Sequence, residues 1–497
     1  MDYDILVVGG GINGVGIARD AAGRGLKVLL CEQDDLASHT SSASSKMIHG
    51  GLRYLEYYEF GLVRKSLKER EVVLRLAPHI VRPLQLALVH DAGQRPAWMI
   101  RLGLFLYDHL GGRELLPTSR GINLKQHVTG QPLADQFSKG FVYSDCWVQD
   151  ARLVVLNAMD AVERGAEVLT RTQCVKTTRN TNDWQVTLQS ADGANRTIST
   201  RCIVNAAGPW VTSFIDEGLR LSREHGIRLV QGSHIVVPKL YEHEYAYLFQ
   251  NVDKRVIFVI PYEQKFTLIG TTDVDYQGDP GDVEITKKEV DYLCVVVNRY
   301  FKQKLTAADV VSSFAGVRAL VDDGSDDASA ITRDYRLEPN RADNKAPLLS
   351  VFGGKLTTYR NLAEHVMDEL KDVLNISATP WTAHAPLPGG DIANVDFDGF
   401  LKSFRERHSW LPAELAWRYA RNYGTCADII VGEAKSLDEL GENLCADLYE
   451  AEARYLVKRE WARTAEDILW RRTKLGLLVS GDDVRVLNDW LAMELKN

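Results

Sequence analysis

Apolar residues dominate positions 3–8, with Asp4 the one exception, change to helical spacing at Ile12, Val15, Ile17, Ala18 and Ala21, and return after Lys27 to a short run ending at 31. Short continuous runs on either side of a 3.6-period segment predict a buried strand, a helix over Ile12–Gly23 and a second buried strand, that is, a βαβ unit. The same alternation returns later. A helical pattern at 150–166 leads into a strand at 167–176, apolar runs at 201–204 and 347–352 predict two more strands, and a helix follows the last of these to about residue 370. Between these pieces, 233–238, 255–261 and 266–270 are rich in β-branched and aromatic residues and predict an antiparallel sheet. The Pro/Gly-rich stretch 376–390 predicts a linker. Beyond it, helical spacing with many charges at 415–423 and 447–460 predicts a separate helical domain.

One stretch fits neither period. Residues 41–55, SSASSKMIHGGLRYL, offer hydroxyls, turn amides and two bare glycines with cations at both ends. Such a set suits an anionic or flat ligand better than a core.

Gly9, Gly11 and Gly14 form GxGxxG at the first strand-to-helix turn, and Glu32 closes the second strand. Gly9 permits the tight turn, Gly11 admits a pyrophosphate to the backbone, Gly14 lets helix and strand close up, and the acid suits ribose hydroxyls. The fingerprint serves FAD and NAD alike. Its place at the start of the sequence and the lack of a second GxGxxG favour one dinucleotide, revisited by later segments. Asn205-Ala206-Ala207-Gly208 ends one strand with small residues, and Gly353-Gly354-Lys355-Leu356-Thr357 points a helix N-terminus at an anion.

With 497 residues, 45% hydrophobic and 25% charged, the chain has the composition of a large globular protein. A net charge of -8 excludes a basic field for nucleic acid. Seven cysteines without CxxC predict free thiols and a reducing compartment. No leader precedes the first strand and no apolar run reaches about 18 residues, so neither secretion nor a membrane span is expected. No histidine spacing suggests a metal; His243 between two glutamates cannot converge with both.

The strings VVGGGINGVGIARDAAGRG, TSSASSKMIHGGLRYLE, YSDCWVQDARL, NAAGPW, GSHIVVP, GTTDVDYQGDP, AGVRAL, ITRDY, VFGGKLTTYRNLAEH and LWRRTKLG resemble the FAD-dependent, membrane-associated aerobic glycerol-3-phosphate dehydrogenase family along essentially the whole chain. The resemblance implies an α/β FAD-binding domain of the glutathione-reductase-like, D-amino-acid-oxidase type, a mixed antiparallel-sheet substrate domain and a C-terminal helical domain. The corresponding boundaries are 1–79, 141–225 and 331–375 for the first, 80–140 and 226–330 for the second, the linker 376–390, and 391–497 for the third.

It further implies non-covalent FAD held by Gly9, Gly11, Gly14, Glu32, Ser41, Ser42, Ser44, Ser45, Gly50, Gly51, Ala206, Gly208, Gly354, Leu356 and Thr357. Glycerol 3-phosphate would meet Arg53, Arg318 and Lys355, with Tyr54, Thr271 and His234 as neighbours. The implied reaction is oxidation to dihydroxyacetone phosphate, with electrons passed to membrane quinone. Alcohol oxidation needs a base, and His49 is the first choice; His234 either touches substrate or anchors its turn. A peripheral place on the cytoplasmic face of the inner membrane follows from the resemblance, and a homodimer is compatible with it. Residues 95–110, RPAWMIRLGLFLYDHL, are the candidate for a lipid surface, and a buried core helix is the alternative. The competing activities are a same-fold flavin oxidase using O2 on another small anionic alcohol or amine, and a flavin-binding scaffold without turnover.

Overall fold

The computed structural model describes all residues except 92, 252, 254, 323–333, 341–344 and 497. Ile331–Arg333 of the ITRDY string, and the expected boundary at 330/331, lie outside the described residues.

The first sheet contains β1 (Tyr3–Val8), β2 (Val28–Cys31), β7 (Glu167–Leu169), β8 (Thr172–Arg179), β9 (Trp184–Ser190), β10 (Asn195–Asn205), β17 (Arg336–Asn340) and β18 (Leu348–Phe352). Its parallel core runs β18-β10-β1-β2-β7, with β17 antiparallel at one edge. The chain leaves β1 toward β2 on one side and meets β10 on the other. A topological switch point, where ligands bind in open α/β sheets, therefore falls at the C-terminal end of β1. From Ile5 onward β1, and all of β2, are buried on both faces, which is why they read as continuous apolar runs rather than alternating ones.

The single strand expected over 167–176 is two. Arg171 takes φ 52°, breaking the run, so that β7 pairs with β2 while β8 turns away to pair with β9. Strand β10 is longer than its apolar segment because its first half forms a hairpin with β9 and only its second half enters the parallel core.

The second sheet holds β3 (Met47–Ile48), β4 (Val81–His90), β5 (Arg120–Asn123), β6 (Lys139–Val148), β11 (Ile227–Pro238), β12 (Ala246–Gln250), β13 (Val256–Tyr262), β14 (Phe266–Gly270), β15 (Val274–Asp275) and β16 (Ser312–Val321). Its ladders are antiparallel apart from β12 with β4. The boundary expected at residue 141 falls inside β6, which belongs to this sheet by its pairing with β4 along its full length.

Helices α1 (Ile12–Gly23), α2 (Phe60–Leu76), α3 (Ala97–Leu110), α4 (Asp150–Glu163), the single turn α5 (Val211–Ser213), α6 (Lys287–Tyr300) and α7 (Tyr359–Leu374) cover the sheets. Helix α1 packs against α4 and α7, and a Cβ on Gly16 would stand 2.7 Å from the Tyr359 ring, so this glycine sets the approach of α1 and α7. The C-terminal part carries α8 (Phe397–Arg407), α9 (Ala413–Tyr423), α10 (Ala427–Val431), α11 (Glu450–Arg459) and α12 (Gly481–Glu494).

Two expectations change here. The stretch 376–390 is not a free tether: Trp381 lies against Gly23 and donates its indole N–H to the Asp20 carbonyl at 3.2 Å, and buried Leu387 bonds the Leu76 carbonyl at 2.9 Å. Nor is the C-terminal core separate. Leu415, Tyr419, Leu456 and Ile468 join Val15, Val154 and Leu362 in one continuous apolar cluster. The helical periodicity identified the faces but could not say what they bury against.

Candidate active site

A cavity of about 1520 Å³ opens where β1, β2 and β10 end and continues between the two sheets. At its inner end the β1–α1 turn behaves as its glycines require. Gly9 has φ 113°, and a Cβ on Gly14 would stand 1.9 Å from the Gly9 carbonyl oxygen, so Gly14 serves helix–strand closure and lies off the cavity wall. A Cβ on Gly11 would meet only the Ser41 hydroxyl, at 3.1 Å, and Gly11 lines the cavity at the N-terminus of α1. The Glu32 carboxylate lies beside this turn, accepting from Gly10 N at 2.6 Å and Asp34 N at 2.8 Å, and burial raises its pKa. A cavity with a bare helix N-terminus and an adjacent strand-end acid on its wall fits a dinucleotide's pyrophosphate and ribose.

The serine stretch closes one wall. Ser41 Oγ accepts from Ile12 N at 3.0 Å, Ser44 Oγ donates to Asp150 at 2.7 Å, and Ser45 Oγ lies 2.8 Å from His234 Nε2. Ser41, Ser44, Ser45, Gly51, Ala206, Gly208, Gly354, Leu356 and Thr357 all line the cavity. Ser42 and Gly50 do not. The Ser42 hydroxyl turns back to the His39 carbonyl at 3.2 Å, and Gly50 is a packing glycine whose Cβ would stand 2.5 Å from Leu67. Sequence reasoning could not separate them from their neighbours, because a loop without a period does not reveal which residues face in.

At the outer end His49, Arg53, Tyr54, His234, Thr271, Arg318 and Lys355, drawn from distant parts of the chain, line this same cavity. The Lys355 ammonium sits 3.8 Å from the centre of the Tyr54 ring, and Tyr54 itself packs across Gly51, where φ is 77°. Arg318 donates to Thr271 Oγ1 at 3.2 Å and to Asp273, with Gly232 leaving room beneath its guanidinium. Arg53 donates to Tyr57 at 3.2 Å and has no carboxylate partner among the described residues. His49 is half-buried, and its backbone N–H donates to Thr357 Oγ1 at 3.2 Å. Burial, with help from the Lys355, Arg70 and Arg318 charges, pushes the His49 pKa down to about 3, leaving a neutral imidazole at physiological pH.

His234 is buried, stacks on Phe314 at 4.9 Å and uses Nε2 on Ser45, which ties the β11 wall to the serine stretch.

Asp273 is one site residue that sequence reasoning missed. It lies two residues beyond Thr271 in the GTTDVDYQGDP string and faces the cavity. Asp150 and Lys46 were missed as well: Lys46 Nζ donates to Asp150 at 2.7 Å, and both are buried behind the serine stretch.

Comparison with known proteins gives this architecture its family. Residues 4–360 match the family described as "FAD dependent oxidoreductase". The chain belongs to the FAD-dependent oxidoreductases. Residues 380–493 match the "C-terminal domain of alpha-glycerophosphate oxidase", so a second family domain follows the FAD-dependent oxidoreductase domain.

Among relatives, a "Glycerol-3-phosphate dehydrogenase" of Pseudomonas aeruginosa is 57% identical over 99% of this chain and 95% of its own length. A "D-erythritol 1-phosphate dehydrogenase" of Brucella abortus is 54% identical, over 98% and 97%. An "Aerobic glycerol-3-phosphate dehydrogenase" of Escherichia coli is 50% identical, over 98% and 97%. The crystal structure of a glycerol-3-phosphate dehydrogenase from Bacillus halodurans complexed with FAD superposes with a TM-score of 0.81 at 28% identity, covering 100% of this chain and 91% of that one. FAD is accordingly the cofactor of this oxidoreductase, and the glycine turn, helix N-terminus and Glu32 on the cavity wall fit it.

Proposed function

We propose that this oxidoreductase converts sn-glycerol 3-phosphate to dihydroxyacetone phosphate. The observation that carries the reading is that Arg53, Arg318 and Lys355 line the same cavity as His49, whose imidazole is kept neutral by burial and by the Lys355 and Arg318 charges. A phosphate monoester carries nearly two negative charges; guanidinium forks bind its oxygens two at a time, and an ammonium adds a mobile charge. Tyr54, stacked under Lys355, and Thr271, bonded to Arg318, orient those cations.

Gly11 and the α1 N-terminus would hold the cofactor's pyrophosphate, Glu32 its ribose, and Ser41, Ser44, Ser45, Ala206, Gly208, Gly354, Leu356 and Thr357 its flanks. Bound there, FAD supplies the acceptor for the hydride leaving C2. His49 takes the C2 hydroxyl proton on a ring nitrogen as the C–O bond becomes a carbonyl. A base with a pKa of about 3 is weak in the free enzyme; burial is the larger cause, and the arriving phosphate opposes the smaller, charge-borne part. Its charge offsets Lys355 and Arg318, two of the cations that depress His49, so the imidazole becomes more basic when substrate is present.

The electron acceptor in this reading is a membrane quinone, reached from the cytoplasmic face of the inner membrane. Among the described residues no helix is long and apolar enough to cross a membrane. Helix α3 supports attachment to a lipid surface. Leu104 and Tyr107 anchor it inward, while Trp98 is 66% exposed, Leu102 51% and Phe105 50%. Its Met99, Leu102 and Leu106 also rim the mouth of the cavity.

The test is anaerobic mixing of the purified yellow protein with glycerol 3-phosphate, in parallel with D-erythritol 1-phosphate, since identity to the two kinds of relative is nearly equal. Bleaching of the flavin by the first, and reoxidation by a quinone analogue faster than by O2, is the expected result. Bleaching only by the tetritol phosphate would move the substrate, and fast O2 reoxidation would favour the oxidase alternative.

A further inference from the structure

The C-terminal string LWRRTKLG lies outside the cavity, yet both its arginines are buried. Arg472 is 0% exposed and Asp35, its partner, 2%. Arg472 grips Asp35 with both ends of its fork, Nη1 to Oδ2 at 2.6 Å and Nη2 to Oδ1 at 2.8 Å, and Arg471 Nε adds a third bond at 2.7 Å. The chain of charges continues in both directions, from Arg471 to Asp467 and Arg171, and from Arg472 to Glu460 and Arg152. Two domains are thus stitched by alternating ions in a place where each charge depends on its neighbours.

Asp35 is the point where this network meets the cofactor wall. The residues before it, Glu32, Gln33 and Asp34, line the cavity, and so do Ala37, Ser38 and His39 after it, while Asp35 itself points away. Beyond the strand-end bonds of Glu32 to Leu169, Thr172, Gly10 and Asp34, and the His39 contacts with Asp34 and Ser42, the segment is held by Ala37 N to Gly10 O at 3.3 Å, Ser38 N to Asp35 O at 3.2 Å, and Arg171 N to Asp34 O at 2.7 Å. The Ala37 bond links it to the glycine turn, and the Arg171 bond belongs to a residue that is itself part of the ion chain.

We propose that Arg471 and Arg472 are positioning residues for the cofactor: acting through Asp35, they hold the 32–39 wall in the shape that accepts the adenosine half of FAD, so that the C-terminal domain sets cofactor affinity. The physical basis is the asymmetry of buried ion pairs. With one arginine gone, Asp35 is left as an under-compensated buried carboxylate that relaxes toward water and takes the wall with it. Binding then has to restore the wall, and affinity falls. Linkage makes the effect reciprocal: FAD must in turn stabilise a segment it never touches. The inference rests on FAD binding and is independent of which alcohol is oxidised.

The full-length chain tests it. FAD is titrated into apo-protein of wild type, Arg472→Gln and Asp35→Asn, following flavin fluorescence well below the unfolding temperature of each. The expected result is at least tenfold weaker FAD binding in both variants. At saturating FAD, the KM for glycerol 3-phosphate should stay within about twofold of wild type. Amide exchange of wild-type residues 463–478 should slow on adding FAD, and this measurement needs no variant, so it decides the matter even where a variant does not fold. Unchanged FAD affinity in folded variants, with apo and holo forms destabilised equally, overturns the proposal, as does C-terminal exchange indifferent to FAD.

Discussion

Arg318→Ala is the sharpest probe of the phosphate end, because the structure gives Arg318 a partner as well as a ligand. A lost hydrogen bond to a charged group costs about 1.5–3 kcal/mol. The side chain is 30% exposed, so its Coulomb energy belongs to an effective dielectric of about 20 rather than 4. A second cost is specific to this site. Removing the guanidinium leaves the Asp273 carboxylate unpaired at the cavity wall, facing an incoming dianion. Together these put the loss near 3 kcal/mol, or more than 100-fold in kcat/KM for glycerol 3-phosphate. Unphosphorylated glycerol should lose far less. Adding Asp273→Ala to Arg318→Ala should then restore about 1 kcal/mol, since it removes the repulsion. The assay is anaerobic flavin reduction over a range of substrate concentrations. Equal losses for both substrates, or a double variant worse than Arg318→Ala, would refute the reasoning.

Four other expectations follow from the same geometry. His49→Gln should keep its FAD but slow flavin reduction roughly 100-fold, the scale of general base catalysis; normal kinetics would move the role to His234. Because His49 must be neutral to act, the rate falls as pH falls through its pKa. With that pKa near 3, the kcat/KM profile of the wild type should show no His49 limb above about pH 5, and Lys355→Met should move the limb to higher pH by removing a cation that depresses it. Gly11→Val should fold but lose flavin, since its side chain projects into the cavity, whereas Gly14→Ala should lose stability because its Cβ would meet the Gly9 carbonyl; equal flavin retention in folded Gly11→Val would contradict the cradle. Trp98→Glu with Phe105→Glu should abolish pelleting with lipid vesicles and quinone reduction while sparing reduction of a soluble dye, and loss of dye reduction as well would show that α3 belongs to the core.

The βαβ unit, its glycine turn and Glu32 were legible in the amino-acid sequence because they are local. A buried strand is a continuous apolar run, a helix a 3.6-residue period, and a pyrophosphate turn needs glycines at fixed spacing. The exposed stripe of α3 was legible as a pattern, but whether it met solvent or core was not, since periodicity gives a face and never the neighbour of that face. The cations were visible singly, and only chain packing brought Arg53, Arg318 and Lys355 to one cavity, across separations that no spacing rule spans. Packing also decided that Ser42 and Gly50 turn away from the cavity, that Asp273 faces Arg318, that β6 joins the second sheet, and that the C-terminal arginines close on Asp35. The physical reason is common to all of these. Local sequence fixes backbone conformation and periodicity, whereas the partner of a buried charge or a loop side chain depends on which distant surface arrives opposite it, a question settled by desolvation and shape over the whole fold.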